Sequence, residues 1–171
     1  MAVKKLLSQL ENGQEQYIAP VKSSTGSADA EKIVALNNSG KLDLTMMPDG
    51  VGAETEVYPA SEALSANDLV NIFDDSGTLK VRKAVASDIN KSAAGYVKDN
   101  VNSGADAAVY FEGRLQGLTG ILPNTTYYLS STQAGKYTST PPVADGTIYQ
   151  PVGTGIKTDQ IRFEQGKVIL N

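Results

Sequence analysis

From Thr55 to the end of the chain, apolar and polar residues alternate with period two over short segments, the signature of half-buried antiparallel strands. In 68–73, Val70 and Ile72 share one face. Asp74-Asp75-Ser76-Gly77 makes the turn, and 78–83 returns with Leu79 and Val81 inward, a hairpin. A second pair spans 95–101 and 107–112 around Asn102-Ser103-Gly104, with Val109 and Phe111 alternating against Tyr110 and Glu112. Segments 125–130, 147–152, 160–164 and 167–170 continue the series, separated by Gly135, Pro141-Pro142, Asp145-Gly146 and Gly166. Short strands punctuated at this spacing predict an antiparallel β-barrel or sandwich. The one helical candidate within this region is 84–92.

The first third of the chain reads differently. The spacing of Leu6, Leu7 and Leu10 predicts two helical turns over 3–10, stopped by Asn12-Gly13. So short a helix needs a partner surface, either this domain's core or a neighbouring chain. Residues 14–30 are polar, and Ser23-Ser24-Thr25-Gly26-Ser27 has linker composition. Ile33-Val34-Ala35-Leu36 and Lys41-Leu42-Asp43-Leu44 flank Asn37-Asn38-Ser39-Gly40, which predicts a hairpin. A connector with Met46, Met47 and Pro48 follows. Its methionines can cap a core or fill a contact surface, core packing being the simpler role. The expected organisation is an extended N-terminal arm with a short helix and hairpin over 1–52, then a mainly β domain over 53–171.

Composition narrows the chemistry. The 171 residues include no cysteine and no histidine. Disulfides, thiolate zinc sites and the usual nucleophile–base pairs are therefore excluded, and no enzymatic activity and no cofactor are expected. Net charge is −4, and the fifteen basic residues are scattered apart from Lys4-Lys5 and the run Lys80, Arg82, Lys83, so nucleic acid is not an expected partner. Apolar runs fall far short of a membrane span, and Leu6-Leu7 gives way at once to Ser8-Gln9, without the apolar stretch of a signal peptide. Asp74-Asp75 lacks the further ligands of a calcium loop, and the glycines at 113, 117 and 120 lack the Lys-Ser/Thr ending of a phosphate loop. No pair of carboxylates is singled out for glycoside cleavage by its spacing.

What remains is a surface chemistry. Eight tyrosines without tryptophan suit wet interfaces, since a phenol ring is apolar at one end and hydrogen-bonded at the other; tyrosine is equally at home in strands. Tyr127, Tyr128, Tyr137 and Tyr149, with Met46 and Met47, are the interface candidates. Leu6, Leu7, Leu10, Tyr17 and Ile18 are the candidates for anchoring the arm.

Several segments also carry a resemblance. Ala28-Asp29-Ala30-Glu31-Lys32-Ile33-Val34-Ala35-Leu36, Asn38-Ser39-Gly40-Lys41-Leu42-Asp43, Met46-Met47-Pro48 and Gly50-Val51-Gly52 resemble a segment that recurs in tailed-bacteriophage virion proteins. Residues 63–72, Val81-Arg82-Lys83-Ala84, Ala94-Gly95-Tyr96-Val97 and 108–113 are similar to the small β-barrel of capsid cement, or head decoration, proteins. The run 122–130 with Thr140-Pro141-Pro142 and Val152-Gly153 resembles that family's closing strands. Glu31 stands where the pattern leads one to expect glycine, and the first 27 residues carry no resemblance.

The resemblance implies a structural virion protein, made in the host cytoplasm and carried on the outer surface of the phage head. Its partners would be the major capsid protein and further copies of itself in a homotrimer, with no nucleic acid or membrane partner. The arm would tie onto the shell while the barrel sits outside. The alternative is a head or tail fibre module that recognises a host-surface glycan, with the tyrosines as stacking platforms.

Overall fold

The computed structural model describes residues 6–9, 13–38, 40–43, 46–47 and 54–171. The chain is mainly β, built from antiparallel sheets, and divides into two compact units, Met1–Gly52 and Ala53–Asn171.

In the first unit, β1 (Leu6–Gln9) and β2 (Glu15–Ile18) form an antiparallel hairpin in the register Leu6↔Ile18, Leu7↔Tyr17. This replaces the helix expected over 3–10. So short a helix costs its nucleation free energy without enough propagating bonds to recover it, whereas the hairpin pairs the same backbone groups across strands.

The second expected hairpin is also absent. Its turn forms, with Asn37 N–H donating to the Lys41 carbonyl at 2.8 Å, but no ladder flanks it among the described residues. Val34 instead makes a parallel bridge to Val21, with Val21 N–H on the Ile33 carbonyl and Ala35 N–H on the Val21 carbonyl at 2.9 and 2.8 Å. Apolar residues run contiguously from Ile33 to Leu36 and do not alternate, so no face of a two-stranded ribbon is singled out for burial and the pairing register is weakly specified.

A 3₁₀ turn at Ser27–Asp29 precedes this bridge. The Asp29 carboxylate accepts from the Thr25 amide and hydroxyl at 2.6 and 2.7 Å and from Lys32 at 2.7 Å. The Lys32 ammonium first, then the two Thr25 donors, hold its carboxyl far below the ordinary carboxylate range. Glu31 follows with φ of 64°, the left-handed conformation that glycine adopts without strain.

The second unit contains two five-stranded sheets. The first runs β3 (Thr55–Pro59), β7 (Asp106–Tyr110), β6 (Gly95–Val97), β4 (Leu69–Asp75), β5 (Thr78–Lys83). The β4–β5 hairpin forms where the alternation places it, around Ser76 and Gly77 with φ of 56° and 90°, the pair of positive values a two-residue turn of matching twist needs. The sheet curls until its edges meet: Ala60, just past β3, bridges Val81 of β5 in parallel, and Ser61 N–H donates to the Val81 carbonyl at 2.8 Å. Val70, Val81, Val97, Ala107 and Val109 fill the concave side with Ala60 and Leu64.

The second sheet runs β10 (Tyr137–Thr138), β9 (Thr126–Leu129), β12 (Pro151–Lys157), β13 (Gln160–Phe163), β8 (Gly113–Leu115). A short pair, β11 (Ile148–Tyr149) with β14 (Ile169–Leu170), accompanies it. The main core contains Leu69 and Tyr96 from the first sheet with Leu115, Tyr127, Leu129, Val152, Ile161 and Phe163 from the second. Leu69 and Val70, like Tyr96 and Val97, are chain neighbours that serve different clusters, so β4 and β6 are covered on both faces. In β12 the close packing demands glycine: a Cβ on Gly155 would lie 2.2 Å from the Leu122 carbonyl oxygen.

Two buried polar side chains tie loops to this framework. Gln150 is 0% exposed, and its amide pairs with both backbone groups of Ala93, accepting from N–H and donating to C=O at 2.8 Å each. Asp68 is 1% exposed; its carboxylate accepts from the Ser65 amide at 2.9 Å and from the Lys136 ammonium, with Lys83 at 3.8 Å. The helix expected at 84–92 is a single 3₁₀ turn, Ile89–Lys91, with Asp88 accepting from the Asn90 amide at 3.0 Å. Val85 N–H reaches the Lys91 carbonyl and Ala86 N–H the Ser130 carbonyl, so the segment's donors serve other partners than a helical ladder.

Candidate functional site

The anchoring residues lie in the first unit. Leu6 and Leu7 pair with Ile18 and Tyr17 across the β1–β2 hairpin, and Leu10 lies outside the described residues. Tyr17 is 71% exposed. Ile33, Val34, Leu36 and Leu42 are exposed as well, and no described residue of this unit belongs to either core cluster. Met46 and Met47 are half-buried, Met46 N–H donating to the Asp43 carbonyl at 3.1 Å. Exposed apolar side chains such as these make the kind of surface that protein partners cover.

The four tyrosines separate by strand face. Tyr127, 4% exposed, belongs to the core, where its hydroxyl accepts from the Leu122 amide at 2.9 Å and its ring meets Tyr137 edge to face at 5.4 Å. Its assignment as an interface residue is therefore corrected: neither ring nor hydroxyl is free for a partner. Tyr137 is half-buried, and burial, reinforced by Tyr127, raises the pKa of its hydroxyl.

Tyr128 and Tyr149 form a partly exposed pair with ring centroids 5.1 Å apart. A hydrogen bond between their hydroxyls pushes the Tyr128 phenol above its ordinary pKa, with a small further push from burial. Tyr149 sits opposite Ile169, an exposed residue of β14, so aromatic and aliphatic surface adjoin there. Tyr128, Tyr149 and Ile169 together form a partly exposed ledge on the second unit.

The structure also gathers residues that their sequence positions do not connect. A cavity of about 360 Å³, open to solvent, is lined among the described residues by Asn67, Lys98, Arg114 and Gln116. The Lys98 ammonium lies 3.7 Å from the centroid of the Tyr110 ring, which packs on Tyr96 at 5.6 Å. Tyr96 in turn donates its hydroxyl to the Arg114 carbonyl at 3.2 Å, and burial raises its pKa. Asn67, a non-glycine residue with φ of 65°, bonds the Gln116 backbone twice, donating to its carbonyl at 3.0 Å and accepting from its amide at 3.3 Å. The only signal of this arrangement in the sequence is the asparagine, a residue that tolerates positive φ.

Among the described residues no group of three or more acidic side chains could hold a metal ion. The carboxylates of the β4–β5 turn are engaged, Asp74 accepting from the Gly77 amide at 2.6 Å and Asp75 pairing with Lys80 at 2.7 Å. No described helix is long and apolar enough to cross a membrane. No family model matches the chain, and no curated protein matches its sequence.

Proposed function

We propose that this chain is a non-catalytic structural protein of a tailed-bacteriophage particle. It binds the outer surface of the head, as a homotrimer, and cements neighbouring subunits of the major capsid protein. The observation that carries the reading is the contrast between the two units. Among the described residues the second holds every buried core residue, while the first leaves Tyr17, Ile33, Val34, Leu36 and Leu42 exposed. An arm of that kind gains its burial on a partner, and contacts repeated over many copies in a closed shell add up to a large stabilisation from modest individual interfaces. The resemblance of most of 28–171 to tailed-bacteriophage virion proteins, and of its second half to head decoration proteins, is what suggests the partner.

The test is cosedimentation with expanded, undecorated heads of the phage that encodes the chain, scored for saturation and for the temperature at which heads burst. Saturable binding and a raised burst temperature are expected. Deleting residues 1–27 is expected to abolish cosedimentation while the second unit keeps its cooperative melt. Undiminished binding by the truncated chain would remove residues 1–27 from the mechanism, and no binding by the full chain would overturn the cement reading.

A further inference from the structure

We infer that the cleft of Asn67, Lys98, Arg114 and Gln116 is a binding site for a carboxylated sugar residue. This goes beyond the proposed attachment to a capsid and uses none of the residues assigned to it.

The argument begins with charge. The protein is net acidic, at −4, yet this cleft carries two cations and no carboxylate among its described lining. In the β13–β8 register Arg114 stands directly opposite Arg162, a like-charge pairing that destabilises a sheet. Glu164 neutralises Arg162, at 3.0 Å from its guanidinium. Arg114 has no ion pair among the described residues, so its charge is left to the cleft.

The second strand of the argument is preorganisation. Lys98 is held over Tyr110, and the Arg114 backbone is held by the Tyr96 hydroxyl, so one pair of packed rings positions the Lys98 ammonium and the strand that carries Arg114. On the opposite wall Asn67 is fixed in a left-handed conformation, its own amide N–H bonded to the Val97 carbonyl at 2.8 Å and its side chain to the Gln116 backbone. Asparagine adopts that region more readily than most residues, and these bonds fix it there.

Size and chemistry select the ligand. The volume lies in the range of small-molecule sites, and every described lining side chain is an amide or a cation. A protein contact centres on buried apolar anchors, of which the described lining has none. A pyranose acid fits better: the guanidinium can take its carboxylate through two parallel hydrogen bonds, while the Gln116 amide and Lys98 ammonium can take hydroxyl groups.

The test uses the full chain and follows backbone amide chemical shifts during titration with methyl glucuronide, with methyl glucoside as the neutral control and a short oligoglutamate peptide as the acidic-protein control. Saturable shifts at Asn67, Lys98, Arg114 and Gln116 with the glucuronide alone, weakened by added salt, are expected. Arg114→Gln, an exposed position, should lower the affinity about tenfold, the loss of a charge-assisted hydrogen bond, without changing the melt. Lys98→Met provides an independent second variant with the same expected direction. No response to the glucuronide, an equal response to the glucoside, a response to the peptide alone, or full affinity in Arg114→Gln would each overturn the assignment.

Discussion

Gln150→Leu isolates one element of the packing. The wild-type amide satisfies both backbone groups of Ala93, itself fully buried, and no water reaches either group once the amide is gone. Each buried backbone group left unpaired costs about 1–3 kcal/mol, so the pair costs about 2–6 kcal/mol. Leucine needs no hydrogen bonds of its own and returns about 1–2 kcal/mol, so the midpoints of the two ranges leave a net loss of about 2.5 kcal/mol. For a unit of this size that corresponds to a fall in melting temperature of about 6–15 °C at neutral pH, read by circular dichroism.

Gln150→Glu tests the same geometry from the other side. A carboxylic acid can accept from Ala93 N–H and donate its own O–H to Ala93 C=O, whereas a carboxylate turns a negative oxygen toward that carbonyl in a site without solvent. The folded state therefore favours the protonated acid, and the pKa of the introduced carboxyl lies above its unfolded value of about 4.3. The folded protein then binds more protons than the unfolded one, so stability relative to wild type is retained below the unfolded pKa and lost as pH rises through the folded one. Gln150→Leu, with no titrating group, loses stability equally at both ends of that window. A Leu variant that melts within a degree or two of wild type, or a Glu variant whose deficit is independent of pH, would refute the account.

Other consequences are independent of this one. Lys136→Met leaves the buried Asp68 carboxylate with Lys83 at 3.8 Å as its remaining cation, and since Lys136 is partly solvated the expected loss is about 1–3 kcal/mol; adding Asp68→Asn should recover part of it in a denaturant titration. Tyr149→Phe removes the hydroxyl that raises the Tyr128 pKa, so the Tyr128 phenol should titrate closer to its ordinary value of 10.0, followed by ring carbon shifts across alkaline pH.

Much of the second unit was legible in the alternation. The β4–β5 hairpin lies within a residue or two of its expected bounds, because period two, a turn of Asp, Ser and Gly, and the need to bury Val70 and Val81 all point to one register. The tyrosines were harder. Tyr127 and Tyr128 are adjacent, and which of them faces the core depends on a register that cross-strand partners set, Thr126 against Thr154 and Pro151 against Tyr128. The first unit misled because Leu6, Leu7 and Leu10 satisfy a helical spacing as well as a strand, and the partner that decides the matter, Glu15–Ile18, is half polar. Gln150 sits in an apolar run and carries no mark of its buried role. The cleft was invisible for a topological reason: its residues come from the entry to β4, the exit of β6 and the strand and exit of β8, brought together only by sheet order and loop packing.

The meeting of β3 with β5 bears on crowding. An open sheet ends in rows of unsatisfied amides and carbonyls that template further strands, and chains held at high local density are the ones most exposed to that reaction. Here the first sheet engages its own margins at Ala60 and Val81, and the margins of the second are strands of two and three residues, too brief to seed a ladder. These two sheets therefore offer a neighbouring copy little edge to extend.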